Sequence, residues 1–211
     1  MSFPRYERAE IAADAVIHAL GVGFALIGGP ILIGLVAAEG EAWSIAAISI
    51  YVATLIAMFA ASAGYNLIPI PAWKGWLRRL DHSTIYLKIA GAYTPFAAIS
   101  IGGIVGKSLL IAVWGVALVG LALKILYPRR FEILSIVLYL ALGWAAVVVF
   151  GDVAASLDRA ALILVIIAGL LYSVGVIFHL WRTLPFQNAI WHFMVLSATA
   201  VLYAAMAVEF V

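Results

Sequence analysis

The chain alternates between long apolar stretches and short breaks rich in charge, glycine or proline. A helix that crosses a bilayer needs about 20 mostly apolar residues, and seven stretches meet that requirement. Outer-membrane barrel strands are about half as long and alternate in polarity, which these stretches do not. The pattern therefore predicts an all-α membrane protein, a bundle of seven transmembrane helices at Ala15 to Ala38, Trp43 to Tyr65, Ser83 to Gly103, Ser108 to Tyr127, Phe131 to Gly151, Ala160 to Trp181 and Ala189 to Phe210.

Composition supports a protein that resides in lipid. Hydrophobic residues make up 67% of the chain and charged residues 10%, whereas soluble domains carry about 25% charged residues. The formal charge of +2 leaves no broad basic face for nucleic acid, so membrane lipids are the expected partners, and assembly into a homo-oligomer stays open. Cysteine is absent, which excludes disulfides and thiolate metal sites.

Lysine and arginine are unevenly distributed over the predicted loops, and such residues concentrate on the cytoplasmic side of a membrane protein. Residues 1–14 are expected to form a cytoplasmic N-terminal segment and residues 15–211 the transmembrane domain in the cell (inner) membrane. The outer segments then hold only Lys107 and Arg159, and the C-terminus is extracytoplasmic. The inner segments hold Arg5, Arg8, Lys74, Arg78, Arg79, Lys124, Arg129, Arg130 and Arg182.

Polar residues gather at the predicted cytoplasmic ends of four helices. Several pairs are four residues apart, which places both side chains on one helical face. Ionisable residues at membrane depth are expensive and mark functional sites, although a single one of them is also explained by contact with headgroups and water. Lys88 is expected to snorkel to the cytoplasm or to pair with Asp81 or Asp14. The sequence predicts a shared polar pocket built from Glu10, Asp14, His18, Ser62, Asn66, Asp81, His82, Tyr86, Asn188 and His192.

The segment from Leu80 to Phe96 carries a long motif, LDHSTIY followed by IAGAYTPF. It resembles the signature of the hemolysin III family, the bacterial branch of the progestin and adipoQ receptor superfamily. Three shorter pieces support the resemblance, which covers nearly the whole chain: Glu10 with Asp14, His18 and Gly21; Ser62 with Tyr65; and NAIWHF from Asn188 to Phe193. The resemblance implies seven helices with a cytoplasmic N-terminus.

The resemblance also implies a buried zinc, held by three histidines and by a water that an aspartate orients. Carried over to this chain, the aspartate is Asp81, the nearby serine is Ser62 and one ligand is His192. The other two ligand positions are Asn66 and Asn188. Amides are poor zinc ligands, so we expect a metal-poor pocket with a self-satisfied hydrogen-bonded cluster. The alternative is a rearranged zinc site that recruits His18, Asp14, Asp81 or His82.

Three functions follow from these residues and from the resemblance. The first is a membrane-state sensor or regulator that uses the polar pocket as a switch. The second is a zinc-dependent lipid amide hydrolase in which Asp81 and Ser62 take part in catalysis and His192 binds the metal. The third, pore-forming cytolysis, comes only with the family label, because no stripe of polar residues lines the spans. A retinal-based pump is excluded, since the last helix has no lysine.

Overall fold

The computed structural model describes residues 7–38, 40–127 and 130–211. Arg5 and Arg129 of the sequence predictions lie outside these ranges. This part of the chain is all-helical. Its helices are α1 (Arg8–Ala38), α2 (Ala42–Leu67), α3 (Pro71–Pro95), α4 (Gly103–Leu126), α5 (Glu132–Gly143), α6 (Phe150–Ser156), α7 (Arg159–Leu180) and α8 (Gln187–Phe210).

Among the described residues, six helical stretches are long and apolar enough to cross a membrane, with α5 and α6 forming one of them through a short 3₁₀ segment, Ala145–Val149. The helix α3 differs from them because its first half is charged. It begins at Pro71, well before the predicted Ser83, and carries Lys74, Arg78 and Arg79. Likewise α1 begins at Arg8, inside the stretch assigned to the N-terminal segment. Apolar patterning therefore detects the lipid-compatible part of a helix and not its polar extension.

The break between the third and fourth helices lies at Gly102, and the break predicted between Gly103 and Ser108 is wrong, because these residues belong to α4. A π-helical segment, Phe96–Ile101, continues α3, and Gly102 ends it with a positive φ of 57°. Gly106 lies within α4, where a Cβ atom would come within 2.1 Å of the Ala97 carbonyl oxygen. Its role is thus close packing of α4 against the π segment, not chain reversal.

Helices adjacent in sequence pack together, and α1 also contacts α8, which brings the first and last helices side by side. The main core lies among α1, α2 and α8 and includes Leu32, Leu55 and Met206. A second core, with Tyr86 and Val113, joins α3, α4 and α5. Between the two cores the polar residues from several helix ends come together.

Candidate functional site

Asp14 is the hub of a buried polar cluster between α1, α2 and α8. Its Oδ1 accepts a hydrogen bond from His192 Nδ1 at 2.6 Å, and its Oδ2 accepts one from Asn188 Nδ2 at 3.0 Å. The Asn188 amide also donates to Asn66 Oδ1 at 3.2 Å. Asn188 and His192 reach the same carboxylate because they lie four residues apart on α8.

His18 and Ser62 extend this cluster. His18 Nδ1 lies 2.8 Å from the Asp14 carbonyl oxygen, which can only accept, so this nitrogen carries the proton. His18 Nε2 is then the acceptor for the Ser62 hydroxyl at 3.2 Å. The rings of His18 and His192 meet edge to face with centroids 4.4 Å apart. Asn66 Nδ2 donates to the Ser62 carbonyl at 2.9 Å. We call Asp14, His18, Ser62, Asn66, Asn188 and His192 the Asp14 cluster.

The Asp14 cluster is shielded from solvent and internally satisfied. Asp14 is 6% exposed and His18 is 2% exposed. An unpaired carboxylate at that depth is strongly unfavourable, but both Asp14 oxygens have donors. The Asn66 and Asn188 amides therefore supply hydrogen-bond donors and an acceptor to the cluster. A neutral imidazole has only one N–H donor and one acceptor nitrogen, so it would replace these bonds only in part.

The remaining predicted pocket residues take different places. Asp81 lies at the edge of the Asp14 cluster, where it interacts with Ser62 and faces His192. Glu10 lies at the mouth and accepts the Phe186 N–H at 2.7 Å, which ties α1 to the start of α8. The His82 ring meets the Tyr65 ring edge to face with centroids 6.4 Å apart, and the His82 carbonyl accepts a hydrogen bond from the Tyr139 hydroxyl.

Tyr86 is outside the pocket, contrary to the sequence expectation. Its ring is 1% exposed, stacks near Tyr139 at 4.4 Å and covers Gly120 of α4. The reason is helical phase: five residues after Asp81 correspond to about 140° of rotation on a helix with 3.6 residues per turn. Tyr86 therefore points into the second core.

A large cavity extends from the Asp14 cluster. Its volume is about 1410 Å³, and its wall includes Asp14, His18, Asp81 and His192. Glu132 stands at the mouth, paired with Arg78 at 2.7 Å and facing Arg182 at 3.6 Å. Ligand pockets commonly measure about 300–1,000 Å³. This central cavity is thus large enough for a lipid chain.

Lys88 is the residue whose role sequence reasoning missed. It does not snorkel: its side chain is 3% exposed, lines the central cavity and donates to the Tyr172 hydroxyl. It also does not pair with Asp81 or Asp14; among the ion pairs of the described residues, Asp14 pairs with His18 and His192. The available signal was its spacing from Asp81. Lys88 follows Asp81 by seven residues, which is about two helical turns, so both side chains lie on nearly the same face of α3.

Asn66 and Asn188, two of the three positions to which the resemblance assigns zinc ligands, do not fit zinc, because the Asn188 amide donates to Asn66 Oδ1 and to Asp14 Oδ2. A neighbouring set does fit in donor chemistry. One ligand atom each from Asp14, His18 and His192 lies within 4.8 Å of the others, and zinc accepts two imidazoles and a carboxylate. This group contains two residues of the predicted rearranged site, His18 and Asp14, but neither Asp81 nor His82.

Fold and site together define a multi-pass integral membrane protein whose helical bundle encloses a buried polar cluster and a cavity. The chain belongs to the hemolysin III family: residues 10–203 match the family described as Haemolysin-III related. It is 37% identical over 194 residues to the Hemolysin-3 homolog of Bacillus subtilis, covering 92% of this chain and 91% of that protein. It is 36% identical to Hemolysin-3 of Bacillus cereus over 92% of this chain and 89% of that protein. Identity to the human Monocyte to macrophage differentiation factor is 28% over 93% of this chain and 82% of that protein.

Proposed function

We propose that this hemolysin III protein is a membrane-state sensor or regulator whose central cavity takes up a membrane lipid. The observation that supports this proposal most directly is the position of the Asp14 cluster. It connects α1, α2 and α8 by hydrogen bonds and is also part of the cavity wall. Protein interiors are normally close-packed, so a void of about 1410 Å³ leaves the helices room for a second arrangement. A molecule bound in the cavity shifts the equilibrium between the two helix arrangements only if it binds to one of them more tightly.

The proposal includes seven spans with the N-terminus in the cytoplasm. Six stretches within the described part of the chain qualify by length and composition, and we assign the seventh to the second half of α3 with the π segment Phe96–Ile101. The charged first half of α3 then lies on the cytoplasmic side with the mouth of the cavity. Lysine and arginine are usually enriched on the cytoplasmic side of a membrane protein.

The sensor proposal is tested by a distance measurement across the mouth. The chain has no cysteine, so Ala72→Cys and Thr183→Cys, both at exposed positions, can carry spin labels in nanodiscs. Bilayer thickness changes helix tilt. We expect the label distance to differ between dimyristoyl and dioleoyl phosphatidylcholine, and Asp14→Asn to suppress that difference.

Asp152→Asn is the matched control for this measurement, because Asp152 is an exposed aspartate outside the cavity. It should leave the lipid-dependent difference intact. An identical distance distribution in both bilayers, or an unaltered response in Asp14→Asn, would contradict the proposal.

A zinc-dependent lipid amide hydrolase is the second candidate, and the grouping of Asp14, His18 and His192 favours it. Zinc held by these three side chains would supply a Lewis acid and an acidified water. Asp81, at the edge of the Asp14 cluster, would orient that water, and Ser62 would contact it.

Elemental analysis separates the two candidates. The sensor proposal expects purified wild type to contain little zinc, and the variant with Asn66→His and Asn188→His to gain it, since imidazoles then occupy the family's ligand positions. Stoichiometric zinc in the wild type, lost in His192→Ala, together with lipid-amide turnover abolished by Asp81→Ala, would establish the hydrolase instead.

A further inference from the structure

A second polar layer lies in the central cavity, two helical turns deeper than the Asp14 cluster. Lys88 follows Asp81 by seven residues on α3, and Thr199 follows His192 by seven on α8. Seven residues correspond to about 10 Å along a helix and nearly the same face. The layer is joined by hydrogen bonds, because Lys88 Nζ donates to the Tyr172 hydroxyl, which lies 2.7 Å from Thr199 Oγ1.

Lys88 has no counter-charge in this layer. Within the described residues, the ion pairs within 4.0 Å involve other groups, and the Lys88 amine instead lies over the Tyr172 ring, 3.9 Å from its centroid. An ammonium group inside a membrane bundle is expensive unless an anion or a water-filled space compensates it. Tyr172 uses only one of the three donors that a lysine ammonium offers. The remaining donors are available to an occupant of the cavity.

The cavity wall that includes Lys88 also carries apolar and aromatic side chains. Ile89 of α3, Leu140 and Trp144 near the end of α5, and Val176 of α7 line it. Trp144 Nε1 donates to Ser173 Oγ at 3.0 Å, which satisfies the indole and links the two sides. A ligand that reaches Lys88 therefore meets a cationic group together with hydrocarbon-like surface of the cavity wall.

We propose that Lys88, which donates to a Tyr172 hydroxyl that is itself bonded to Thr199, is a headgroup subsite for a single-chain amphiphile with one carboxylate, such as a free fatty acid. One ammonium neutralises one negative charge, whereas a phosphate ester with more than one charge would keep an uncompensated charge in the apolar wall. The aliphatic chain lies along the apolar side chains of α3, α5 and α7. This inference rests on the proposed function in that the cavity must admit membrane lipid.

Native mass spectrometry of the full chain, released from phosphatidylcholine nanodiscs, tests the subsite with two probes that share a chain and differ in the headgroup, palmitate and 1-hexadecanol. Wild type should bind palmitate about tenfold or more tightly than 1-hexadecanol, because one negative charge is compensated by Lys88. A tenfold ratio of affinities corresponds to about 1.4 kcal/mol. Lys88→Met should lose the preference and Lys88→Arg should retain it. Melting temperatures establish that each variant is folded.

Lys124→Met is the matched control, because Lys124 is a second buried lysine of the cavity wall. It should keep the preference for palmitate. Equal binding of the two probes by wild type, a preference that survives in Lys88→Met, or a preference lost in Lys124→Met would each overturn the subsite while lipid uptake by the cavity stands. Binding of neither probe would overturn the subsite and lipid uptake together.

Discussion

Replacing Asp14 with alanine tests how much the Asp14 cluster contributes to the free energy of unfolding. The substitution removes the acceptor of the 2.6 Å bond from His192 and of the 3.0 Å bond from Asn188. Hydrogen bonds between transmembrane helices average about 0.6 kcal/mol and reach about 1.7 kcal/mol. Assigning the larger value to the bond from His192 and the average value to the bond from Asn188, and adding about 1 kcal/mol for the donors left buried without partners, gives a loss of about 3 kcal/mol.

The assay is unfolding by dodecyl sulfate in mixed micelles, followed by the fluorescence of the seven tryptophans. A loss of about 3 kcal/mol is a change of more than a hundredfold in the unfolding equilibrium constant. Asp14→Asn keeps one acceptor oxygen, so we expect about half the loss of Asp14→Ala. The control Asp152→Ala changes an exposed carboxylate and should stay within about 0.5 kcal/mol of wild type. If Asp14→Ala is no more destabilising than Asp152→Ala, the Asp14 cluster does not hold the helices together.

Two further predictions concern the bundle. In the cysteine-free chain, a membrane-impermeant thiol reagent applied to intact cells should label Glu41→Cys and not Thr183→Cys, because the proposed topology places these exposed positions on opposite sides; the reverse labelling would invert the topology. Gly91→Ala should lower the melting temperature, since a Cβ there would lie 2.0 Å from Thr54 Oγ1, and overpacking costs about 1–3 kcal/mol. Gly115→Ala, where a Cβ meets nothing within 4 Å, should not lower it, and equal effects of the two substitutions would contradict the close approach of α2 and α3.

Hydrophobic patterning predicted the helical fold because burial in lipid requires long apolar runs with internally satisfied backbones. It placed helix ends well where a charge or turn interrupts the run, as at Ala38 and at Leu126, one residue before the predicted end at Tyr127. It missed the start of α3 at Pro71, because a charged helix beyond the apolar region has no apolar signal. It also misplaced the turn between the third and fourth helices. The sequence does not distinguish a glycine that permits close helix packing, such as Gly106, from a glycine that ends a helix, such as Gly102.

The site was predictable where spacing alone determines direction. Residues four apart on α1 and α8 meet at Asp14, as their common face indicates. Which partners lie opposite each other across helices is set by helix rotation and tertiary packing, which one sequence does not encode locally. For this reason Tyr86 joined the predicted pocket although it packs in the second core, and Tyr172 was not included although it accepts a hydrogen bond from Lys88.

The contact between Asp14 and His192 is the feature on which the account of the site depends most. Solid-state NMR of the protein in bilayers, with ¹³C-labelled aspartate and ¹⁵N-labelled histidine, measures it directly through the dipolar coupling between the Asp14 carboxyl carbon and His192 Nδ1. The 2.6 Å oxygen–nitrogen separation predicts a strong coupling that disappears in His192→Gln. A wild-type spectrum without that coupling would show that α1 and α8 do not meet at this carboxylate, and the proposed sensor site would be contradicted.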